Sequence, residues 1–341
     1  RDCLLSRGLG DVYKRQISVS GDKSISIRWV LLSSLANGVS NAKNLLLSED
    51  VLAAIKAVKI LGIKSKITKK GVKIYGKGIK GYNYKKNITI DARNSGTLGR
   101  LILGLLINTT YPIKIIGDNS LSKRDFRRVT QPLSKFGAQF KLNNSKSLPL
   151  TIFGSQKLKS VKYIEKKGSA QCKSSVIFAG LRTEGTTIIK AKKSRDHSEL
   201  LFKHLKLPIK VIKRKKHDII KIKGKHKIPA LNYKIPSDIS SAAFFIVAAL
   251  ILKNSEIKIP NVNINKYRTG IITVLKEMGA NISVINKRLD SNEELGDLII
   301  KSSQLKSLNI GGEIISTLTN VEVDEYVLGI TAVVPPAFAK T

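Results

Sequence analysis

One pattern recurs four times along the chain and limits the folds that it can adopt. In each copy an amphipathic helix ends near a glycine or a proline, and a strand, a polar turn and a second strand come next. The equivalent points are Gly62, Gly137, Pro208 and Gly279, which lie 75, 71 and 71 residues apart. This period is too long for a solenoid repeat, and it predicts a βαβαββ-like unit that is used several times.

A second kind of helix alternates with the first. Its copies begin with small or capping residues and then become strongly apolar, so we expect these helices to lie inside, with the strands covering them. The starts are at residues 21–24, 94–97, 168–171, 238–241 and, less clearly, 324–325. The first kind starts at residues 48–50, 123–125, 194–197 and 267–269. The predicted fold class is therefore α/β.

Both ends of the chain depart from this pattern. Residues 1–16 lack the apolar core of a signal peptide and differ in composition from the rest of the chain, so we interpret them as a non-native extension and leave them out of the fold. The last copy stops at Thr341, where each earlier copy continues into a strand and another helix. Pro335 and Pro336 also interrupt the expected last helix. We therefore expect a fragment whose last domain is incomplete.

The chain is strongly basic, with 61 Lys and Arg against 24 Asp and Glu and a formal net charge of +37. Such an excess favours nucleic acids, membrane surfaces or small anions as partners. The lysines are spread along the whole chain and only 6% of the residues are aromatic, so the pattern of a base-stacking surface is missing. Two cysteines, and four histidines without ligand spacing, give no basis for a disulfide framework or a zinc cluster. The longest apolar run, residues 239–252, is too short to cross a bilayer.

Residues 21–28, Gly-Asp-Lys-Ser-Ile-Ser-Ile-Arg, place an ammonium, a hydroxyl and a guanidinium at the start of an apolar helix. Free backbone N–H groups and the helix dipole favour an anion there, so the octet predicts a phosphate or carboxylate site. A solvated basic helix start would have the same composition. The octet alone does not decide between the two.

Eight motifs, in the same order and at similar spacing, resemble the 5-enolpyruvylshikimate-3-phosphate synthase family from about residue 17 to the C-terminus. They are GDKSISIR (21–28), NSGTLGR (94–100), GDNSLSKRDFRRVTQPL (117–133), SAQCKSS (169–175), SRDHSE (194–199), DISSAAFF (238–245), RTGIITVLKEMGA (268–280) and VDEYVL (323–328).

The resemblance implies the two-domain enolpyruvyl transferase fold, with residues 17–20 and 237–341 in one domain and 21–236, as three βαβαββ units, in the other. It implies transfer of the enolpyruvyl group of phosphoenolpyruvate to the 5-hydroxyl of shikimate-3-phosphate, with release of phosphate, as a step of aromatic amino acid biosynthesis. The two substrates would bind in the cleft between the domains, without a metal or another cofactor. We expect a cytoplasmic monomer with no nucleic-acid or membrane partner.

Individual site residues are implied by the matching motifs. Those implied for shikimate-3-phosphate are Lys23, Ser24, Arg28, Ser169, Ala170, Gln171, Ser194 and Asp324. Those implied for phosphoenolpyruvate are Lys23, Asn94, Gly96, Arg124 and Gln171. Lys23 and Asp324 are the catalytic candidates, with Asp324 as a base for the attacking hydroxyl. At Gly96 the missing Cβ would let the backbone approach a ligand closely.

The chain departs from the family pattern at four positions. It has Ser20 and Asp125 where the family has Pro, Ile27 where the family has His, and Arg93 where the family has Gly. Arg93 and Asp125 lie beside the residues implied for phosphoenolpyruvate. A Lys-Glu pair used in proton transfer and further cationic ligands would lie beyond Thr341, so we expect weak binding and little or no turnover from the chain as given.

Two other functions compete with this interpretation. UDP-N-acetylglucosamine enolpyruvyl transferases share the fold, but they carry Lys-Asn where Lys23-Ser24 stands here, and normally a catalytic cysteine in a loop. The charge of the chain also permits an RNA-binding or RNA-end-processing protein of related fold.

Overall fold

The structure, a computed structural model, describes residues 13–308. The chain divides into two compact units. In its described part, unit 1 consists of residues 13–20 and 236–308, and unit 2 is Gly21–Ile235.

The elements are numbered in chain order. The helices are α1 (Lys23–Ser34), α2 (Glu49–Ile60), α3 (Gly96–Leu106), α4 (Asn119–Ser122), α5 (Arg127–Ser134), α6 (Ala170–Arg182), α7 (His197–His204), α8 (Ile239–Ile251) and α9 (Gly270–Glu277). The strands of unit 1 are β1 (Tyr13–Gln16), β15 (Ser255–Asn263), β16 (Asn281–Asp290) and β17 (Glu293–Lys301). Those of unit 2 are β2 (Ala36–Lys43), β3 (Lys64–Thr68), β4 (Gly71–Lys77), β5 (Thr89–Asp91), β6 (Ile113–Ile116), β7 (Gln139–Asn143), β8 (Ser147–Phe153), β9 (Lys162–Glu165), β10 (Thr186–Lys192), β11 (Ile209–Lys213), β12 (His217–Lys223), β13 (Ile228–Pro229) and β14 (Asn232–Lys234).

The sheets of the described residues share one topology. Their strand orders are β1-β15-β17-β16, β13-β2-β4-β3 with β14 also on β2, β5-β6-β8-β7, and β9-β10-β12-β11. In each sheet the first two strands of the order pair in parallel, as β14 does with β2, and the other pairs are antiparallel. Together with the helices between the strands, this is a βαβαββ arrangement. The predicted α/β fold with repeated βαβαββ units is confirmed.

In two sheets the first strand comes from a distant part of the chain. Strand β1 precedes α1 yet pairs with β15 in unit 1, and β13 and β14 precede α8 yet pair with β2 in unit 2. The prediction that left residues 1–16 out of the fold is wrong for Tyr13–Gln16. A parallel edge strand needs only backbone hydrogen bonds, so a short polar segment without an apolar pattern can still join a sheet.

The apolar helices form the interior of unit 2, as the sequence predicts. Most side chains of α1, α3 and α6 are buried. Helices α3 and α6 cross closely at Gly104. A Cβ at this position would lie only 2.2 Å from the carbonyl oxygen of Ser175, so the crossing needs glycine here. The predicted caps are also confirmed: the side chains of Asp22, Ser95 and Ser169 accept backbone N–H bonds at the starts of these helices.

The outer helices end in left-handed residues that reverse the chain into the next strand. Gly62, Gly137 and Gly279 have φ values of 85°, 114° and 94°. In the third copy the left-handed residue is Lys206, with φ 53°, so Pro208 is not the equivalent point. There the N–H of Leu207 donates to the carbonyl of Phe202, the long-range bond of a Schellman cap.

Helix α8 buries only one face among the described residues of unit 1. Its buried residues are Ile239, Ala242, Ile246, Ala249 and Leu250. Phe244 and Phe245 point away from that face and are 80% and 42% exposed, so the prediction that this helix lies inside is wrong for these two residues. Across the described ranges, every helix is too short or too polar to span a membrane.

Candidate anion-binding site

The N-terminal halves of three inner helices lie side by side in unit 2. Gln171, in the first turn of α6, donates to the hydroxyl of Thr97 in the first turn of α3, at 3.3 Å. Arg28 of α1 donates to the hydroxyl of Ser174 in α6, at 3.1 Å. Helix N-termini carry partial positive charge and unbonded N–H groups. Their packing therefore brings together the motifs at residues 21–28, 94–100 and 169–175.

The guanidinium of Arg28 is buried and links α1, α6 and α7. Its Nε donates to the hydroxyl of Ser198 at 2.8 Å and its Nη1 to the carbonyl of Ser24 at 2.9 Å. The hydroxyl of Ser198 in turn donates to that of Ser174, at 2.7 Å. These bonds fix the direction of the guanidinium before any ligand arrives.

Lys23 is half-exposed and makes an ion pair with Asp50 in the first turn of α2, with 3.0 Å between Nζ and Oδ2. Partly exposed pairs of this kind contribute only about 0–1 kcal/mol. A multiply charged anion can therefore compete with Asp50 for this ammonium.

The loop before α6 is held by a buried carboxylate. Glu165 accepts from the N–H groups of Lys167 at 3.0 Å and Gly168 at 2.7 Å. Gly168 is left-handed, with φ 77°, and the hydroxyl of Ser169 then caps α6 by accepting from Cys172 N–H. Ala170 is buried in the first turn. The loop is thus ordered by its own side chains.

The side chain of Gln171 is fixed from the opposite helix. Its amide oxygen accepts from Nη1 of Arg100, and the guanidinium of Arg100 lies 5.6 Å from the ring centre of Phe126. Arg100 is an additional candidate that the sequence alone did not indicate. It ends the motif at residues 94–100, but the sequence does not tell which side chain of α6 it meets.

Asn94, Gly96 and Arg124 lie together at the start of α3. Arg124 donates to the side-chain oxygen of Asn94 at 3.1 Å. A Cβ at Gly96 would lie 3.1 Å from Nη1 of Arg124 and 3.5 Å from Nη1 of Arg100. The face that glycine leaves open is therefore flanked by two guanidinium groups.

Two departures from the family pattern have a structural place beside these groups. Arg93 adopts a left-handed conformation, with φ 50°, which glycine takes without strain. The carboxylate of Asp125 binds Arg127, not Arg124, and hydrogen bonds from the Arg127 guanidinium lower the pKa of Asp125. Ile27 is fully buried.

Ser194 lies in the loop before α7, next to a buried ion pair that the sequence did not indicate. Its hydroxyl oxygen is buried and has no hydrogen-bond partner among the described residues. Lys173 and Glu199, on α6 and α7, form the pair, with 2.7 Å between Nζ and Oε1. The remaining site candidate, Asp324, lies outside the described residues.

The chemistry of this cluster suits a multiply charged anion. Arginine forks, an ammonium, hydroxyls and helix N-termini are the groups that bind phosphate and carboxylate oxygens. Over residues 13–308, no group of three or more His, Cys, Asp or Glu side chains could hold a metal ion.

Comparison with known proteins points to one family. A family model described as EPSP synthase (3-phosphoshikimate 1-carboxyvinyltransferase) matches residues 10–321. A 3-phosphoshikimate 1-carboxyvinyltransferase of Thermoanaerobacter sp. (strain X514) is 41% identical over 322 residues, which are 94% of this chain and 74% of that protein. The enzyme of the same name from Ruthia magnifica is 44% identical over 302 residues, 88% of this chain and 68% of that protein. The solved structure of an EPSP synthase from Acinetobacter baumannii superposes with a TM-score of 0.80 at 34% identity, covering 90% of this chain and 70% of the other.

Proposed function

The chain belongs to the EPSP synthase family, and from this membership we propose that it acts as a 3-phosphoshikimate 1-carboxyvinyltransferase. The reaction joins the 5-hydroxyl oxygen of shikimate-3-phosphate to C2 of phosphoenolpyruvate and releases inorganic phosphate. Both substrates are small and multiply anionic. The observation that carries the proposal is the convergence of helices α1, α3 and α6, with Arg28, Arg100 and Gln171 bound across them.

We assign the shikimate-3-phosphate side of the site to the ends of α1 and α6 and to the loop before α7. The N-terminal turn of α6 offers backbone N–H groups and the capping Ser169, and Ser194 offers a buried hydroxyl without a partner among the described residues. A phosphate is a natural acceptor for both. The proposed set is Lys23, Ser24, Arg28, Ser169, Ala170, Gln171 and Ser194.

We assign phosphoenolpyruvate to the start of α3. Gly96 leaves space there between the guanidinium groups of Arg124 and Arg100, which could bind a carboxylate or phosphate by paired hydrogen bonds. The proposed set is Lys23, Asn94, Gly96, Arg124 and Gln171, to which the contact with Gln171 adds Arg100.

The chemistry needs a proton acceptor for the 5-hydroxyl, a proton donor for C3 of phosphoenolpyruvate, and cations for the departing phosphate. The cations are supplied by Lys23, Arg100 and Arg124. Asp324 stays the candidate base. Holding both anions by several cations at once also aligns the reacting oxygen and carbon, which lowers the entropic part of the barrier.

The test is inorganic phosphate release from phosphoenolpyruvate, measured with shikimate-3-phosphate, with UDP-N-acetylglucosamine, or with neither. We expect release that is slow and that occurs only with shikimate-3-phosphate. Phosphate release that does not depend on it, or that depends on the nucleotide sugar, would contradict the proposed function.

A further inference from the structure

Lys173 and Glu199 form an ion pair that is almost completely removed from water. Their side chains are 1% and 3% exposed, and Nζ of Lys173 lies 2.7 Å from Oε1 of Glu199. The same Nζ donates to the carbonyl oxygen of Ser194 at 3.3 Å. The pair thus connects α6, α7 and the loop that joins β10 to α7.

That loop lies against the N-terminus of α6. A Cβ built at Gly168 would lie 3.5 Å from the carbonyl oxygen of Lys193. Ser194, the next residue, has its hydroxyl oxygen buried and without a hydrogen-bond partner among the described residues. A buried hydroxyl without a partner costs free energy unless a ligand completes it.

The stability of the fold alone does not explain why the chain has a buried ion pair at this position. Two desolvated charges often contribute no more than apolar side chains of the same volume, although removal of one partner is strongly destabilising. In addition, Oε2 of Glu199 has no hydrogen-bond partner in the described part of the chain. Because Glu199 neutralises Lys173, the ammonium is not an open site for phosphate either.

We propose that Lys173 and Glu199 are positioning residues for phosphate recognition. Lys173 holds the carbonyl of Ser194 and thereby directs the Ser194 hydroxyl toward the phosphate of shikimate-3-phosphate, and Glu199 holds Lys173 in place. This inference rests on the proposed function. It adds the Lys173–Glu199 pair as the support of Ser194, one of the residues proposed to bind the phosphate.

The experiment replaces both charges at once in the full chain, as K173M/E199M. Methionines of similar volume should keep the fold stable because no buried charge is left unpaired. The bond to the Ser194 carbonyl is lost, however. We expect the Kd for shikimate-3-phosphate to rise about 10-fold or more, the effect of one hydrogen bond to a charged group. The Kd for shikimate, which has no phosphate, should change by less than about twofold. A tenfold change in Kd would correspond to about 1.4 kcal/mol. Calorimetry measures both, and thermal unfolding checks the fold.

A double-mutant cycle with S194A tests the route through the hydroxyl. S194A should raise the Kd for shikimate-3-phosphate by a similar factor, and in the K173M/E199M background it should add little. The matched control is K225M/E184M, which removes an exposed ion pair of the same 2.7 Å length. It should leave both dissociation constants unchanged.

Several results would overturn the inference. One is an unchanged Kd for shikimate-3-phosphate in folded K173M/E199M. Another is an equal loss of affinity for shikimate and for shikimate-3-phosphate, and a third is full additivity of the effects of K173M/E199M and S194A on the Kd for shikimate-3-phosphate. If K173M/E199M does not fold, E199Q decides, because it keeps the size of the side chain but removes the charge that holds Lys173. E199Q should be less stable and should bind shikimate-3-phosphate several times more weakly, with the affinity for shikimate unchanged, and an unchanged affinity for shikimate-3-phosphate in folded E199Q would contradict the proposed role. Failure of the unchanged protein to bind shikimate-3-phosphate would instead reject the proposed function, and the inference with it.

Discussion

Arg28 lies in the interior of unit 2, and its guanidinium is held by a carbonyl and two hydroxyls from three different helices. A planar fork can make these bonds and still direct N–H groups at an anion, whereas an ammonium cannot match the same directions. The residue contributes to packing, and we propose that it also serves recognition.

We expect R28K to bind shikimate-3-phosphate about 10- to 100-fold more weakly, since hydrogen bonds to charged groups contribute about 1.5–3 kcal/mol. The control is R127K, because Arg127 is exposed and bound to Asp125. The affinity of R127K for shikimate-3-phosphate should be unchanged. Equal affinity of R28K and the unchanged protein in calorimetry would remove Arg28 from the proposed site.

Gly96 separates the two guanidinium groups assigned to phosphoenolpyruvate. A methyl group at this position would approach Nη1 of Arg124 to 3.1 Å, a contact that a flexible side chain can relieve by moving. We expect G96A to fold normally and to raise the KM for phosphoenolpyruvate, while the Kd for shikimate-3-phosphate stays constant. G99A on the same helix is the control, since its Cβ would make ordinary contacts of 3.4–3.5 Å. A normal KM in G96A would place phosphoenolpyruvate elsewhere.

At the scale of elements, Asp297 organises the sheet of unit 1. Strands β15 and β16 each change register, at 259–262 and 285–288, and in these segments Asn261 and Asn286 are left-handed. The carboxylate of Asp297 in β17 accepts from Asn261 N–H and from the Asn286 side-chain amide, both at 3.0 Å. It also pairs with Lys258, at 3.2 Å. One acid therefore stabilises two β-bulges.

This arrangement predicts a pH-dependent effect of D297N. Burial alone would raise the pKa of Asp297, but the hydrogen bonds from Asn261, Asn286 and Lys258 outweigh it and lower the pKa. The ionised carboxylate therefore stabilises the fold at pH values above about 3.9, the pKa of an Asp side chain in an unfolded chain. This contribution is lost as the pH falls through the lower pKa of Asp297 in the folded protein. We expect D297N to be about 1–3 kcal/mol less stable at neutral pH.

Chemical denaturation at several pH values measures this difference. It should shrink as the pH falls below about 4, because the carboxyl of Asp297 then takes up a proton in the unfolded chain before it does so in the folded protein. A difference that stays constant down to pH 3, on the order of one unit below the reference pKa, would contradict the role of the charge.

The elements were more predictable than the contacts between them. Capping residues such as Ser95 and Ser169 mark helix starts locally, and left-handed glycines mark helix ends, so both could be found from spacing. In the third repeat the left-handed residue is Lys206, which has no such local mark. Arg100 and Lys173 belong to recognised motifs, but their partners lie 71 and 26 residues away, and only the packing of α3, α6 and α7 brings them together.

At the scale of the whole molecule, we expect the net charge of +37 to act together with the proposed anion site. The surplus of Lys and Arg creates a positive field that attracts anions over about 10 Å at 0.1 M salt and over much less at 1 M. We expect the Kd for shikimate-3-phosphate to rise at least severalfold between these salt concentrations. Shikimate, with fewer charges, should respond less. An affinity for shikimate-3-phosphate that is independent of salt would contradict an electrostatic site.

The fold class and the family were both accessible from the sequence, since four repeats and eight ordered motifs carry them. The pairing of β1 with β15 and of β13 with β2 was not, because β1 and β13 are too short to show a strand pattern and their partners lie far away in the chain. Helix α8 is a similar case. Its continuous apolar run suggested burial on all sides, but the described part of unit 1 covers only one face, and Phe244 is left 80% exposed.

The most direct test of the account is a calorimetric titration of the full chain with shikimate-3-phosphate and, in parallel, with shikimate. Because the phosphate is assigned to the N-terminus of α6, the hydroxyl of Ser194 and the guanidinium of Arg28, we predict binding of shikimate-3-phosphate at a single site. Shikimate should bind at least about 100-fold more weakly, since several charge-assisted hydrogen bonds are missing. Equal affinity for the two ligands, or no binding of shikimate-3-phosphate, would contradict the assignment of this site.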